Sequence, residues 1–372
     1  MKLISFYLPQ FHEIPENNQW WGKGFTEWSN VKKAVPLFHG HLQPRVPLNN
    51  NYYDLSDINV MREQVKLAKD SGMFGFCFYH YWFDGRLLLQ KPIEQFLENK
   101  DIDFHFCICW ANEHWTKAWE SDKNTVLIEQ KYGNEEEWKS HFDYLLPYFK
   151  DYRYIVENNK PMIVIYRPDI IPCLNKMLDF WNALAVENGF DGLCFCYQHP
   201  SFGLMKKKDD SRFTYCIEYQ PTYAQSLIRN KKHKLLRRLK HFLDHFFETF
   251  FKKDLRYLSQ KKGPTVFDYD EVWTYIINSK PISSKSIPGA FVNWDNTPRR
   301  GKTGIYYVGY STEKFEKYLS LQIKHAKEDY HTEYVFLFAW NEWGEGGFLE
   351  PDEKEQYGRL NAVKKAIKNN DE

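Results

Sequence analysis

No stretch of this 372-residue chain is apolar for long enough to span a bilayer. The opening run, Met1 to Pro9, has one basic residue and a few apolar ones. Pro9 and His12 break it before a signal-peptide core can form. A cytoplasmic location is therefore expected. Charge of one sign is also missing. Lys and Arg number 50 against 49 Asp and Glu, a net charge of +1, so no global field points to a nucleic acid partner. Cysteine is scarce and odd in number: seven in so long a chain argues against a disulfide framework. Cys107 and Cys109, like Cys194 and Cys196, lie in apolar runs where alternation puts each pair on one sheet face. Buried small side chains suit them better than metal ligation. No Cys/His ligand spacing occurs, so neither a metal nor another cofactor is expected. A glycine-rich phosphate loop is absent as well. Neither Gly-x-Gly-x-x-Gly nor a Walker-type loop follows an early strand, which weakens a doubly wound nucleotide-binding sheet.

Aromatic residues are abundant, at 18% of the chain with 13 Trp and 25 Tyr. That exceeds what a core needs and suits clefts that hold sugars. Apolar runs predict strands at Leu3–Leu8, Phe74–Trp82, Phe104–Trp110, Met162–Arg167, Gly192–Gln198, Phe213–Tyr219, Ile287–Asn293 and Tyr334–Trp340. Helical patterns fall between them at Ile58–Ser71 (after Ser56 and Asp57 as caps), Ile93–Glu98, Glu135–Lys150, Leu174–Glu187 and Thr312–Asp329, with Asp352–Lys368 closing the chain. Eight strands alternating with helices predict an α/β fold: a (β/α)8 TIM-like barrel, one domain over 1–372 with long loops on its C-terminal face.

In such a barrel, function belongs at the C-terminal ends of the strands. Polar and aromatic residues gather there. The first strand offers Tyr7, then His12 and, further on, Glu27 and Trp28. The second ends in Tyr79, His80, Tyr81 and Trp82. The third runs into Trp110, Asn112, Glu113, His114 and Trp115. The next three end in Tyr166, in Tyr197 and Gln198, and in Tyr219. The seventh is followed by Asn293, Trp294 and Asp295, and the eighth by Asn341 and Trp343. All are candidates for substrate binding. Among them Glu27, Glu113 and Asp295 could instead order the loops by pairing with Arg or Lys, and His12, His80 and His114 could instead be satisfied core residues.

The eighth strand changes character within two residues. Asn341, Glu342, Glu345 and Glu350 arrive with glycines at 344, 346 and 347, where the backbone can turn sharply. Glu342 and Glu345 should thus stand three residues apart just past the strand. A carboxylate pair flanking one small space is the equipment of glycosidic bond chemistry. Trp340, Trp343 and Phe348 would lower the local dielectric and raise one carboxyl's pKa for acid work. Two Asp-x-Asp stretches, Asp101–Asp103 and Asp268–Asp270, have the letters of a nucleotide-sugar metal site. The first precedes its strand, however, and the second reads as a helix start. The insertion at about 226–263 carries Leu and Phe at helical spacing with many Lys and Arg over 229–262. It reads as an extended barrel helix with a solvated basic face, or as an element resting on an anionic membrane surface.

Asn341-Glu-Trp-Gly-Glu-Gly346 with Glu350-Pro351, supported by Phe6–His12, Gly24–Trp28 and Cys109–Trp115, resembles glycoside hydrolase family 99. The whole chain resembles even more the WbsX-type proteins of bacterial polysaccharide gene clusters, often labelled glycosyltransferases. The resemblance implies a (β/α)8 barrel acting on an oligosaccharide or polysaccharide, with retained configuration and without a metal. It implies Glu342 as base on the sugar's 2-hydroxyl and Glu345 as acid, then base. Gly344 stands where family 99 usually has His, which bears on the substrate. A nucleotide-sugar transferase and a non-catalytic sugar-binding protein are the competing readings.

Overall fold

Strand β1 (Lys2–Tyr7) pairs in parallel with β2 (Gly75–Phe83) on one side and with the last strand, β8 (Tyr334–Phe338), on the other. Between them run β3 (His105–Trp110), β4 (Lys160–Ile165), β5 (Cys194–Gln198), β6 (Tyr215–Glu218) and β7 (Ser286–Phe291), each parallel to its neighbours. Ile4 faces Gly75 in one register and Phe336 in the other, so the sheet closes into an eight-stranded barrel. This computed structural model describes residues 1–116, 125–201, 204–205, 209–229 and 263–370.

The strands are buried along nearly their whole length because one face fills the barrel and the other meets helices. Continuous apolar runs such as Phe106–Cys109 follow from that two-sided burial. Helices Ile58–Asp70, Lys91–Glu98, Glu135–Phe149, Leu174–Glu187, Tyr269–Ile277, Thr312–Glu328 and Gly358–Lys368 surround the strands. Asp57 caps the first by accepting from the Asn59 amide at 2.9 Å. The last helix begins six residues later than its pattern predicts. Gln356 takes a left-handed φ of 48°, and Asp352 is held by Arg359 and the Glu355 amide, so no helix forms before Tyr357.

The seven cysteines form no disulfide, and six of them are buried. Asp101 and Asp103 pair with Arg62 and Lys69 before β3, away from the strands' C-terminal ends. Asp268 caps helix Tyr269–Ile277, and Asp270 pairs with Lys314. Among the described residues no helix is long and apolar enough to cross a membrane. The basic stretch of the insertion, from 230 to 262, lies outside the described residues.

Long connections cover the C-terminal face. Residues 8–57 carry the short helices Pro15–Trp21 and Glu27–Lys32. Among the described residues after β3, Trp115–Thr116 pairs with Val126–Ile128. Residues 339–357 carry the acidic turn.

Candidate active site

Past β8 the chain is stitched to β1. The Leu8 amide donates to Asn341 Oδ1 at 2.7 Å, and Asn341 Nδ2 donates to the Leu8 carbonyl at 2.9 Å. Asn341–Glu342 then pairs antiparallel with Gly347–Phe348 around the tight turn Trp343–Glu345. Gly346 closes this turn at φ 68°, a conformation that glycine adopts without the strain a Cβ brings. The Asp295 amide, just beyond β7, donates to the Glu345 carbonyl at 2.7 Å. Glu342 and Glu345 are therefore fixed from both neighbouring strands.

Both carboxylates meet one guanidinium. Arg299 Nη2 donates to Glu342 Oε2 at 3.0 Å, and Nη1 reaches Glu345 Oε1 at 2.9 Å. Its Nε donates to Glu27 Oε1 at 2.8 Å. Glu27 is fully buried and Arg299 nearly so. Burial pushes the Glu342 carboxyl up to about 8; Arg299 pulls against this shift, and Glu345 and Glu27 add to it. Glu27 is also raised by burial, while its carboxylate neighbours lift Arg299 further above its usual range. The raised carboxyl of the pair is thus Glu342, the residue expected to stay ionised as base. A Cβ on Gly344 would lie 1.9 Å from Glu27 Oε1 and 2.7 Å from Arg299 Nε. The space a side chain at 344 would need is taken by this ion pair.

The pair opens onto a cavity of about 230 Å³. Of the residues named from sequence, Tyr79, Tyr81, Glu113, His114, Trp115, Tyr166, Tyr219, Glu342 and Glu345 line it. Burial raises the phenols of Tyr79, Tyr81, Tyr166 and Tyr219, which keeps them neutral hydroxyls able to bond a sugar. Glu113 pairs with Arg167, whose other edge grips Asp169.

The remaining named residues face away, and strand alternation is the main reason. Between Tyr79 and Tyr81, His80 points outward and meets His141 at 2.9 Å. Trp82 likewise donates to Glu137 on the same outer helix, and Trp110 donates to the Trp82 carbonyl at 3.3 Å. Tyr7 bonds Gln64, and His12 bonds the Pro9 carbonyl. Trp28 donates to the Tyr53 carbonyl and Trp343 to Glu350. Asn112 bridges to the Arg167 backbone. Tyr197 packs on Phe213, Gln198 stands behind Tyr79, and Trp294 lies on Phe338. Asn293 is buried and absent from the cavity wall. Asp295 accepts from Gln43 and Thr297 and pairs with His41, bonds that lower its pKa against burial; it orders loops rather than facing the cavity. Asn341, a substrate-binding candidate by sequence, spends both ends of its amide on Leu8.

Arg299 was not singled out from the sequence. The available signal was charge balance: a carboxylate pair in a dry cleft calls for a cation, and Arg299-Arg300 follows closely on Asp295. Gln10 was also missed as a cavity residue; its buried Nε2 has no partner among the described residues. Glu350 accepts from Tyr53, Gln64 and Trp343, and burial pushes it up to about 7. It braces the turn from behind.

A family model described as glycosyltransferase WbsX matches residues 3–363. Two proteins named WxcX, from strains of Xanthomonas campestris pv. campestris, are each 33% identical over 370 residues, covering 98% of this chain and 49% of theirs. The chain spans about half the length of these curated relatives. A solved GH99 endo-alpha-mannosidase from Bacteroides thetaiotaomicron is similar in fold, with a TM-score of 0.56 at 12% identity over 99% of this chain and 96% of that one. A structure described as a glycoside hydrolase-like protein gives 0.57 at 11% identity, over 98% and 93%.

Proposed function

Given that the chain belongs to the family described as glycosyltransferase WbsX, we propose that it is a carbohydrate-active enzyme that breaks a glycosidic bond with retained configuration. It would pass the sugar to water or to a second sugar. The observation that carries this reading is the Glu342–Glu345 pair, held on one guanidinium at the wall of a tyrosine-lined cavity at the C-terminal end of the barrel.

In this mechanism Glu342 takes the proton of the substrate's 2-hydroxyl. The freed oxygen closes on the anomeric carbon as the glycosidic bond breaks, and Glu345 protonates the leaving oxygen. The 1,2-anhydro sugar is then opened by water or an acceptor hydroxyl that Glu345 deprotonates. Glu342 returns its proton to the 2-oxygen. Arg299 stabilises the charged base, and Glu345 must exchange its contact with Arg299 for the leaving oxygen as substrate enters. Because Glu342 must be ionised while Glu345 keeps a proton, and Glu342 is the carboxyl that burial raises, the productive form of the pair is singly protonated, and kcat/KM of the free enzyme should fall as the pH rises through about 8.

The family description invites a second reading, transfer from a nucleotide sugar. The cavity wall presents Glu113, Glu342 and Glu345 with Arg299 as the guanidinium between the last two. Arg299 is engaged by the Glu27, Glu342 and Glu345 carboxyls and Arg167 by Glu113 and Asp169, so both guanidiniums are already committed, which favours a neutral glycoside over a pyrophosphate. A purely sugar-binding role leaves the buried charged cluster without a use that offsets its desolvation.

The test incubates wild type and Glu342→Gln with aryl α- and β-glycosides and polysaccharide fragments, following the first-formed anomer by NMR. A retained anomer from wild type alone is expected. Turnover that survives in Glu342→Gln, or that requires a nucleotide sugar, overturns the proposal.

A further inference from the structure

The mechanism above leaves one charged group of the site idle. Glu27 opens the short helix Glu27–Lys32, where Thr26 and Ser29 cap each other's backbone. Its amide donates to the Gln10 carbonyl at 2.9 Å, and the next residue, Trp28, is anchored on Tyr53. The Glu27 side chain is thus delivered to Arg299 by a backbone held on two sides. A guanidinium is a rigid planar fork. With its Nε committed to Glu27, the plane is fixed, and Nη2 and Nη1 fall on Glu342 and Glu345.

Two further observations set Glu27 apart from an ordinary ion-pair partner. Its Oε2 is sealed from solvent, and besides Arg299 the Asn30 side chain on the same short helix favours its ionised form. Its Oε1 occupies the space that any side chain at position 344 would need. Three carboxylates therefore share one guanidinium, with Glu27 and Glu342 buried and Glu345 partly exposed at the cavity. Burial raises both Glu27 and Glu342, and each carboxylate disfavours the charge on the other, so these two do not ionise independently. Among the described residues the phenols of Tyr79, Tyr81 and Tyr219 also face Glu342, with Tyr166, Cys109 and Glu113 beyond them.

We propose that Glu27 is a positioning residue: it fixes the plane of Arg299 so that the guanidinium meets both catalytic carboxylates, and it shares that guanidinium's charge with them. This rests on the roles given to Glu342 and Glu345 above. It gives Gly344 a function too, since only glycine admits the Glu27–Arg299 contact.

The test is a carboxyl titration by NMR of the whole chain labelled with carbon-13 at the glutamate carboxyls, with the Glu342 signal assigned by its loss in Glu342→Gln. In Glu27→Gln a like charge is gone and Arg299 serves two carboxylates instead of three. The Glu342 midpoint should fall by about one to two pH units, and the alkaline limb of kcat/KM should move with it. Glu27→Asp, which keeps the charge but withdraws it from Nε, should move the midpoint the same way by less. It also serves if Glu27→Gln does not fold. A folded variant of either kind with the wild-type midpoint overturns the proposal, because a merely structural residue leaves the titration in place. If the midpoint moves but no glycoside is turned over by wild type, the glycosidase reading fails and the positioning role stands.

Discussion

Replacing Glu342 by glutamine should make the protein more stable in alkaline solution while abolishing its proposed chemistry. Burial holds the Glu342 carboxyl at about 8 in the folded chain, against a reference value of 4.5. The folded state therefore binds this proton more tightly than the unfolded one. Stability contributed by the protonated group is complete below about pH 4.5 and is lost as the pH rises through about 8. Integrating between those values gives a loss of about 1 kcal/mol by about pH 5.5 and roughly 4–5 kcal/mol by about pH 8.5. A glutamine carries no such charge, and its amide can still meet Arg299, which keeps Glu27 and Glu345. Glu342→Gln should thus gain about 3 kcal/mol on wild type between those two pH values. Urea unfolding at both pH values measures the difference directly. An equal offset between the two proteins at both pH values would refute the reasoning, because it would mean that Glu342 does not titrate differently on folding.

Glu345→Gln should lose about 100- to 10,000-fold on glycosides with poor leaving groups and far less on activated aryl glycosides; equal losses would remove its role as acid. Asn341→Ala strips a buried amide and carbonyl of Leu8 of their partners and should cost about 2–4 kcal/mol, read as a fall in Tm. An unchanged Tm would mean that the stitch between β1 and β8 is not needed. Burial holds His80 at about 3, so it stays neutral in the fold while the unfolded chain takes up a proton below its ordinary 6.5. Stability should fall as pH drops from 6.5 toward 3, by about 1.4 kcal/mol per unit for this histidine. The slope should be shallower in His80→Phe, and identical acid slopes would contradict the neutral His80–His141 pair.

All eight strands were readable, with ends within two residues of those observed, because two-sided burial writes each as an unbroken apolar run. The turn carrying Glu342 and Glu345 was equally readable, since glycine, carboxylate and aromatic residues crowd together after the last of those runs. The facing of strand-end residues was not. The run Tyr79–Trp82 looks uniform as letters, yet alternation sends Tyr79 and Tyr81 into the cavity and His80 and Trp82 to an outer helix. Choosing between the two sets requires the register of the closed barrel, which is a property of all eight strands at once.

The sequence by itself thus determined the repeating architecture and the local chemistry of one turn, both of which are encoded in neighbouring residues. Only the tertiary structure decided what that chemistry faces. Arg299 is 272 residues from Glu27 and 43 from Glu342, and no local pattern joins them. Their meeting depends on the closure that brings the loops after β1, β7 and β8 to one end of the barrel, and on a missing side chain at Gly344 that leaves room for the contact.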